Sequence, residues 1–204
     1  MRLPNTAHTA RPWQIHEIAP DFTLEDVWEL PTPGGPDDLP RLVRQMASGS
    51  DGESSSRLYD LLFEVRWKLG NLLGWDKSGQ GVGERVRSLR DRLPADLRDG
   101  PRGPDFRGVP FTAVYLTDTE FVAESANRTV HALMHLGWVP DQAGGYRGQL
   151  ATLVKPNGLL GKAYLAGITP VRRVVVSPAL TRKIGRGWQS QTGNPTTGIS
   201  TMGA

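Results

Sequence analysis

The groups best suited to chemistry in this chain are His131 and His135, four residues apart in the stretch TVHALMHLGW. An imidazole titrates near neutral pH, and its neutral nitrogen binds transition metals. The chain has four histidines and no cysteine, so a transition-metal site would lean on this pair. On a helix the two rings would share a face and could chelate zinc. The surrounding residues favour a strand instead. Thr129 and Val130 are β-formers, Gly137 and Trp138 follow, and the alternation is regular. On a strand the two residues face the same way, but their Cα atoms lie ~13 Å apart, too far to share one ion. The intervening Ala132, Leu133 and Met134 also lack the glutamate of the metalloprotease pattern. Metal chelation by this pair is not expected. Val130, Ala132, Met134, Leu136 and Trp138 form an apolar face that should meet the core. His131 and His135 then fall on a half-polar outer face. The sharper alternative puts them on the wall of a semi-polar pocket.

Other residue patterns carry weaker chemistry. Glu120 and Glu124, with Asp118, could serve as a paired acid and base, although turns at strand ends hold such residues routinely and that is the favoured reading. The glycine-rich run from Gly79 to Val86 lacks both nucleotide-binding patterns and reads as a turn. No Gly-x-Ser-x-Gly elbow is present. Arg172, Arg173, Arg182, Lys183 and Arg186 could touch a phosphate or an anionic surface. Helix C-terminal charge and solubility explain them more simply.

Several elements must position these groups. The 204 residues suit one domain, and 38% hydrophobic with 22% charged residues permits a packed core. A net charge of +3 is too small to argue for nucleic acid. The first residues, MRLPNTAHTARPW, have no apolar stretch of the signal-peptide kind. No run of about 18 apolar residues predicts a membrane span. A cytoplasmic protein is expected. The pattern predicts a short strand over WQIHEIA and short helices over LEDVWEL and DDLPRLVRQMA. A polar mobile loop covers about 48–56, and a helix follows with Leu58, Leu61, Leu62, Val65, Leu69 and Leu72 on one stripe. GERVRSLRDRLP reads as a short amphipathic or loop-like piece closed by Pro94. Strands are then predicted in VPFTAVYLTD, EFVAES, SANRTVHALMHLGWVP and GYRGQLATLVKP, forming an antiparallel meander. The last element contains Pro170 and Pro178, so it should be a kinked helix or two helices. Residues 1–12 read as an N-terminal extension, 13–188 as a single domain, and 189–204 as a disordered tail.

Three groups of residues then carry a resemblance. Glu120, Glu124, Asn127, Thr129 and His131 lead into the long strand. KPNGLLGKAY spans Lys155 to Tyr164. The last group is Pro170, Arg172, Val176 and Pro178. Together with LGWD at Leu73 to Asp76, they resemble an uncharacterised bacterial family, a domain of unknown function, over roughly Trp13 to Trp188. The chain departs from that family at Pro170-Val171-Arg172-Arg173, where the family often has Pro-Phe-Arg-His. Relatives of this domain are similar to the helix-grip superfamily of START and polyketide-cyclase-like (SRPBCC) proteins. The resemblance implies an α+β fold in which a curved antiparallel sheet packs on a C-terminal helix around a cavity. It carries no catalytic residues to transfer.

The expected function is binding of a small, mostly apolar or amphipathic molecule in an internal pocket, with no cofactor. The motif-bearing positions supply the candidate ligand-binding residues: Tyr115, Glu124, Asn127, His131, Tyr164 and Arg172. Glu124 and Asn127 could orient a polar end, and Tyr115 and Tyr164 could form aromatic walls. Arg172 could pair with a carboxylate. A cyclase- or hydratase-type enzyme using Glu124 or His131 in the same pocket is the alternative. A non-catalytic interaction module with a filled core is a third. Sequence leaves oligomeric state open.

Overall fold

The meander predicted from alternating residues forms the larger part of one sheet. The computed structural model describes residues 1–48, 82, 86–106, 109–127 and 129–192, except the side chains of Leu160, Tyr164, Ile168, Val171, Val175 and Thr192. Apart from Ser48, Val82 and Val86, the loop at 48–56, the helix that follows it and the glycine-rich run lie outside the described residues. So does the tail beyond Thr192. The elements in order are β1 (Arg2–Leu3), α1 (Thr6–Thr9), α2 (Ile15–Ile18), β2 (Thr23–Glu29), α3 (Leu39–Ser48), a 3-10 turn (Leu89–Arg92), α4 (Ala95–Asp99), β3 (Thr112–Leu116), β4 (Glu120–Ala126), β5 (Val130–Pro140), β6 (Tyr146–Pro156), α5 (Gly158–Val171), a π turn (Arg172–Val176) and α6 (Ser177–Thr192). The fold is α+β, with an open antiparallel sheet of six strands in the order β1-β2-β6-β5-β4-β3. Among the described residues, no helix is long and apolar enough to cross a membrane.

Two N-terminal elements differ from the sequence pattern. LEDVWEL is a strand, not a helix. Its pairing with β6 shifts register between Leu24 and Asp26. The extra residue of this bulge puts Leu24 and Val27 on the same face, opposite Leu153 and Ala151. A spacing of three therefore imitates a helix. WQIHEIA is a turn of helix, not a strand. Ile15 and Ile18 are both buried there, and so short a piece fits either period. Residues before Trp13 also join the fold: Arg2 and Leu3 pair with Trp28 and Val27, and His8 is fully buried. At the other end, the helix runs on to Thr192.

Both faces of the sheet are covered. On the first, which we term the N-terminal face, Val27, Val122, Leu133, Ala151 and Leu153 pack with Trp13, Ile15, Ile18 and Phe22, and with Leu89, Leu93 and Leu97. On the second, the helix face, Trp28, Phe121, Ala123, Leu136, Trp138 and Leu150 pack with Leu39, Leu42 and Val43 of α3 and with Ile184 and Trp188 of α6. Trp138 and Trp188 anchor the second layer, their indole N–H groups donating to Gly35 O and Pro33 O, each at 2.8 Å. The C-terminal helix is broken as its prolines require. Pro170 and Pro178 lack the N–H that an unbroken ladder needs, and the wider π turn lies between them.

The β3 edge is sealed by side chains from the preceding segment. Arg90 Nη1 donates to Val114 O at 2.6 Å and Arg102 Nε to Ala113 O at 2.7 Å. Asp105 Oδ1 accepts from Ala113 N at 2.8 Å. These bonds occupy backbone groups that would otherwise template another strand.

Candidate functional site

The strand pairing brings two carboxylates and two imidazoles together on the N-terminal face. Glu120 and Glu124 on β4 are four residues apart, as are His131 and His135 on β5. In the antiparallel register Glu124 lies opposite Leu133 and Glu120 opposite Gly137. Glu124 is therefore a diagonal neighbour of both histidines and Glu120 of His135 alone, and the side chains settle into two similar pairs. His131 Nε2 lies 2.8 Å from Glu124 Oε2, and His135 Nε2 lies 3.2 Å from Glu120 Oε2. All four side chains are buried, His135 completely. This corrects two expectations. The histidines are not on an outer face, because α1, α2 and the 89–99 segment cover that face with a second core. The glutamates are not surface turn residues, because each is bonded within that core.

The Glu124 pair is closed. Ser88 Oγ donates to Glu124 Oε1 at 2.5 Å and Leu89 N to Oε2 at 2.9 Å, so the carboxylate also caps the 3-10 turn. Phe22 meets the His131 ring edge-on at 5.0 Å. Burial alone would raise the Glu124 pKa, but the bonds from His131, Ser88 and Leu89 outweigh it and hold the carboxyl below its ordinary value.

The Glu120 pair opens into a chain. Besides His135, Glu120 accepts from Tyr115 OH at 3.0 Å and from Gln14 N at 2.9 Å. Burial pushes this carboxyl up, yet these partners bring it below its usual range, with His135 foremost. Tyr115 is shifted upward by burial and by the Glu120 charge. Beyond His135, His8 Nε2 sits 3.1 Å from His135 Nδ1, and His16 Nε2 sits 3.1 Å from His8 Nδ1. With all three rings neutral, the carboxylate sets the order of the tautomers. An ionised Glu120 only accepts, so His135 carries its proton on Nε2, His8 donates to His135, and His16 donates to His8. Burial, reinforced by His135 and His16, lowers the His8 pKa to about 3. Burial likewise lowers that of the half-buried His16. The arrangement is a hydrogen-bonded chain of three rings from half-buried His16 to a buried carboxylate. Trp13 shields it, stacked over Gly137 so closely that a Cβ there would lie 2.7 Å from the indole.

His8 and His16 were not singled out by sequence. Each looks isolated in the chain, and only docking of the N-terminal segment reveals them. Of the residues that were, Glu124 and His131 meet directly, and Tyr115 lies on the same face with Glu120. Asn127 sits at the β4–β5 turn, where its Oδ1 accepts from Thr129 N, Thr129 Oγ1 and Val130 N. The Tyr164 side chain lies outside the description. Arg172 is on the opposite, helix face, with Nη2 2.9 Å from Asp26 Oδ2. Arg172 Nη1 also donates to Oδ1 of the fully buried Asp26 at 3.2 Å, so the pair is hydrogen-bonded as well as ion-paired.

The helix face has its own feature. Asp26, Thr152, Met134 and Ala123 are successive cross-strand neighbours there, with Val154, Ala132 and Ser125 in the adjoining row. Helix α5 crosses this face. Near its start Gly161 meets Thr129 O so closely that a Cβ would lie 2.1 Å away. Toward its end Thr169 Oγ1 bonds Glu25 Oε2 at 3.2 Å, and Arg173 Nη2 donates to Glu25 O at 2.6 Å. Yet Ser125, Ala132, Met134 and Thr152 remain only half-buried in the middle of the sheet. No group of three or more histidine, aspartate or glutamate side chains among the described residues is arranged to hold a metal ion.

Comparison with known proteins returns one family. The sequence model described as "Protein of unknown function (DUF2867)" matches residues 18–179. No curated protein and no solved structure matches the chain.

Proposed function

The chain belongs to the DUF2867 family, and from that premise we propose that it binds a small, mostly apolar molecule on the helix face, between the central strands and α5. One observation carries this reading. Met134 and Ala132 lie on a central strand under a crossing helix, where close packing is the rule, and still retain solvent exposure. An apolar ligand covering them would gain the burial the protein itself leaves incomplete. Thr152 and Ser125 bring hydroxyls to the same patch, and the Arg172–Asp26 ion pair lies on the same face. The ligand is accordingly amphipathic, with its polar end toward Arg172.

An acid–base reaction on such a ligand through Glu124 or His131 is less well supported. Both groups project from the opposite face and are bonded to each other. The binding reading is tested with decanoate and decanol and with ¹³C-methyl-labelled methionine. The Met134 methyl resonance should shift and saturate, and Met134→Trp, which fills the space, should abolish binding while the fold persists. An unmoved Met134 resonance up to the solubility limit of both probes, or unchanged affinity in Met134→Trp, overturns it.

A further inference from the structure

We infer that the outward side of α5 docks onto the surface of an anionic lipid bilayer, with its apolar side chains in the interface and Lys162 against the lipid phosphates. Leu159 is 83% exposed at the start of α5, and Val174 is 75% exposed in the π turn that follows it. Ala163, Ala166 and Pro170 lie between them and are also exposed. At about 100° per residue, positions 159, 163, 166 and 170 fall within about 60° of one another, and the π turn carries the line on to Val174. The stripe runs about 22 Å along the helix. It is turned away from the sheet, because Gly161 on the opposite side of α5 packs on Thr129 O. Lys162 is the single charged residue of α5 and sits exposed at the edge of the stripe. An apolar surface of this kind, left open on a helix, marks a place that another body covers.

Charge selects the occupant. Every charged residue after Asp141 is lysine or arginine. Arg147, Lys155, Arg172 and Arg173 are matched by Glu29, Asp21, Asp26 and Glu25. Lys162 of α5 and Arg182 and Arg186 of α6 are exposed and form no ion pair among the described residues. Their summed field attracts an anionic surface at a distance, without fixed geometry. A second copy of the chain would set these cations against their own kind, which opposes self-association. A protein partner would need large anchors fitted to pockets, and between Leu159 and Val174 the exposed uncharged positions are only alanine, glycine and proline. A bilayer asks for apolar area and positive charge, and α5 offers both. The stripe lies on the side of α5 away from the proposed ligand site, so either reading can fail without the other.

The test uses the full chain with vesicles of phosphatidylcholine, alone or mixed with phosphatidylglycerol, at low salt. Co-sedimentation should show binding to the mixed vesicles about tenfold tighter or more than to phosphatidylcholine alone. Leu159→Glu and Val174→Glu should each weaken that binding by about tenfold or more, and Lys162→Glu should weaken it too. All three positions are exposed, so the fold persists in the variants. In the parent protein a spin-labelled lipid should broaden the Leu159 methyl resonances and leave those of buried Leu133 sharp, a readout that needs no variant. Without vesicles, a soluble paramagnetic agent should reach the Leu159 methyls. Equal binding to the two kinds of vesicle, binding that survives Leu159→Glu, Leu159 methyls already shielded in the free chain, or a dimer formed through the stripe in place of vesicle binding each overturns the assignment.

Discussion

Mild acid should destabilise this protein through His8, and the size of the effect follows from its burial. Free histidine has a pKa of 6.5, and in the fold His8 is lowered to about 3. Between those values the unfolded chain binds a proton that the folded chain refuses, so stability falls as pH falls below about 6.5. One such proton costs about 1.4 kcal/mol per pH unit once the window is entered. Integrated from pH 8 to pH 5, the loss is about 2 kcal/mol, or about 1 M in urea midpoint at a typical slope. The lowered carboxyls Glu120 and Glu124 add a loss of the same sign, but only as the pH falls through the ordinary glutamate value of 4.5. The window from pH 5 to 6.5 therefore isolates the histidines, and His16 contributes in the same direction. The perturbation is His8→Gln, which can still donate to His135 and accept from His16 but does not titrate. Urea unfolding at fixed ionic strength, followed by tryptophan fluorescence, should show the pH 8 to pH 5 loss shrinking by about 2 kcal/mol in the variant. The same loss in both proteins, or none in the parent, refutes the burial argument.

Further outcomes follow from individual contacts. Glu124→Leu should cost about 3–5 kcal/mol because it strips His131 of its buried partner. Adding His131→Leu should return part of that, and a double mutant less stable than the single would contradict the pairing. Gly161→Ala should lower the urea midpoint by the equivalent of about 1–3 kcal/mol, since the new methyl meets Thr129 O and α5 must lift. Asn127→Ala should cost about 1 kcal/mol through the turn bonds it removes. Its effect on decanoate affinity should be nil, as measured by the same methyl titration.

The later part of the fold was legible in the sequence because its strands alternate over long stretches and Gly144-Gly145 marks the turn into the last of them. Pro170 and Pro178 likewise announced a break in the last helix. The N-terminal part was not legible, for two local reasons. A bulge at Glu25 gave β2 the spacing of a helix, and the short Ile15–Ile18 turn was too brief to set a period. The histidine face was misread because His131 and His135 interrupt an otherwise apolar alternation. Polar residues normally signal solvent, but here their partners Glu120, Glu124 and His8 complete a buried layer. No spacing rule links His8 to His135, 127 residues away. Only the docking of the N-terminal segment onto the sheet does so.

The strand order has a consequence for how the chain reaches this state. β3 to β6 pair with sequence neighbours and can assemble as soon as each hairpin is made. β2 is synthesised long before them but has its broad partner in β6, so Val27 must wait for Ala151. During translation the N-terminal segment remains without its main partner until most of the chain has emerged. Closing that long loop is the entropically expensive step. The meander is thus the natural nucleus, and the arrival of β2, with α1 and α2 behind it, is the late event that shuts water away from the buried histidines.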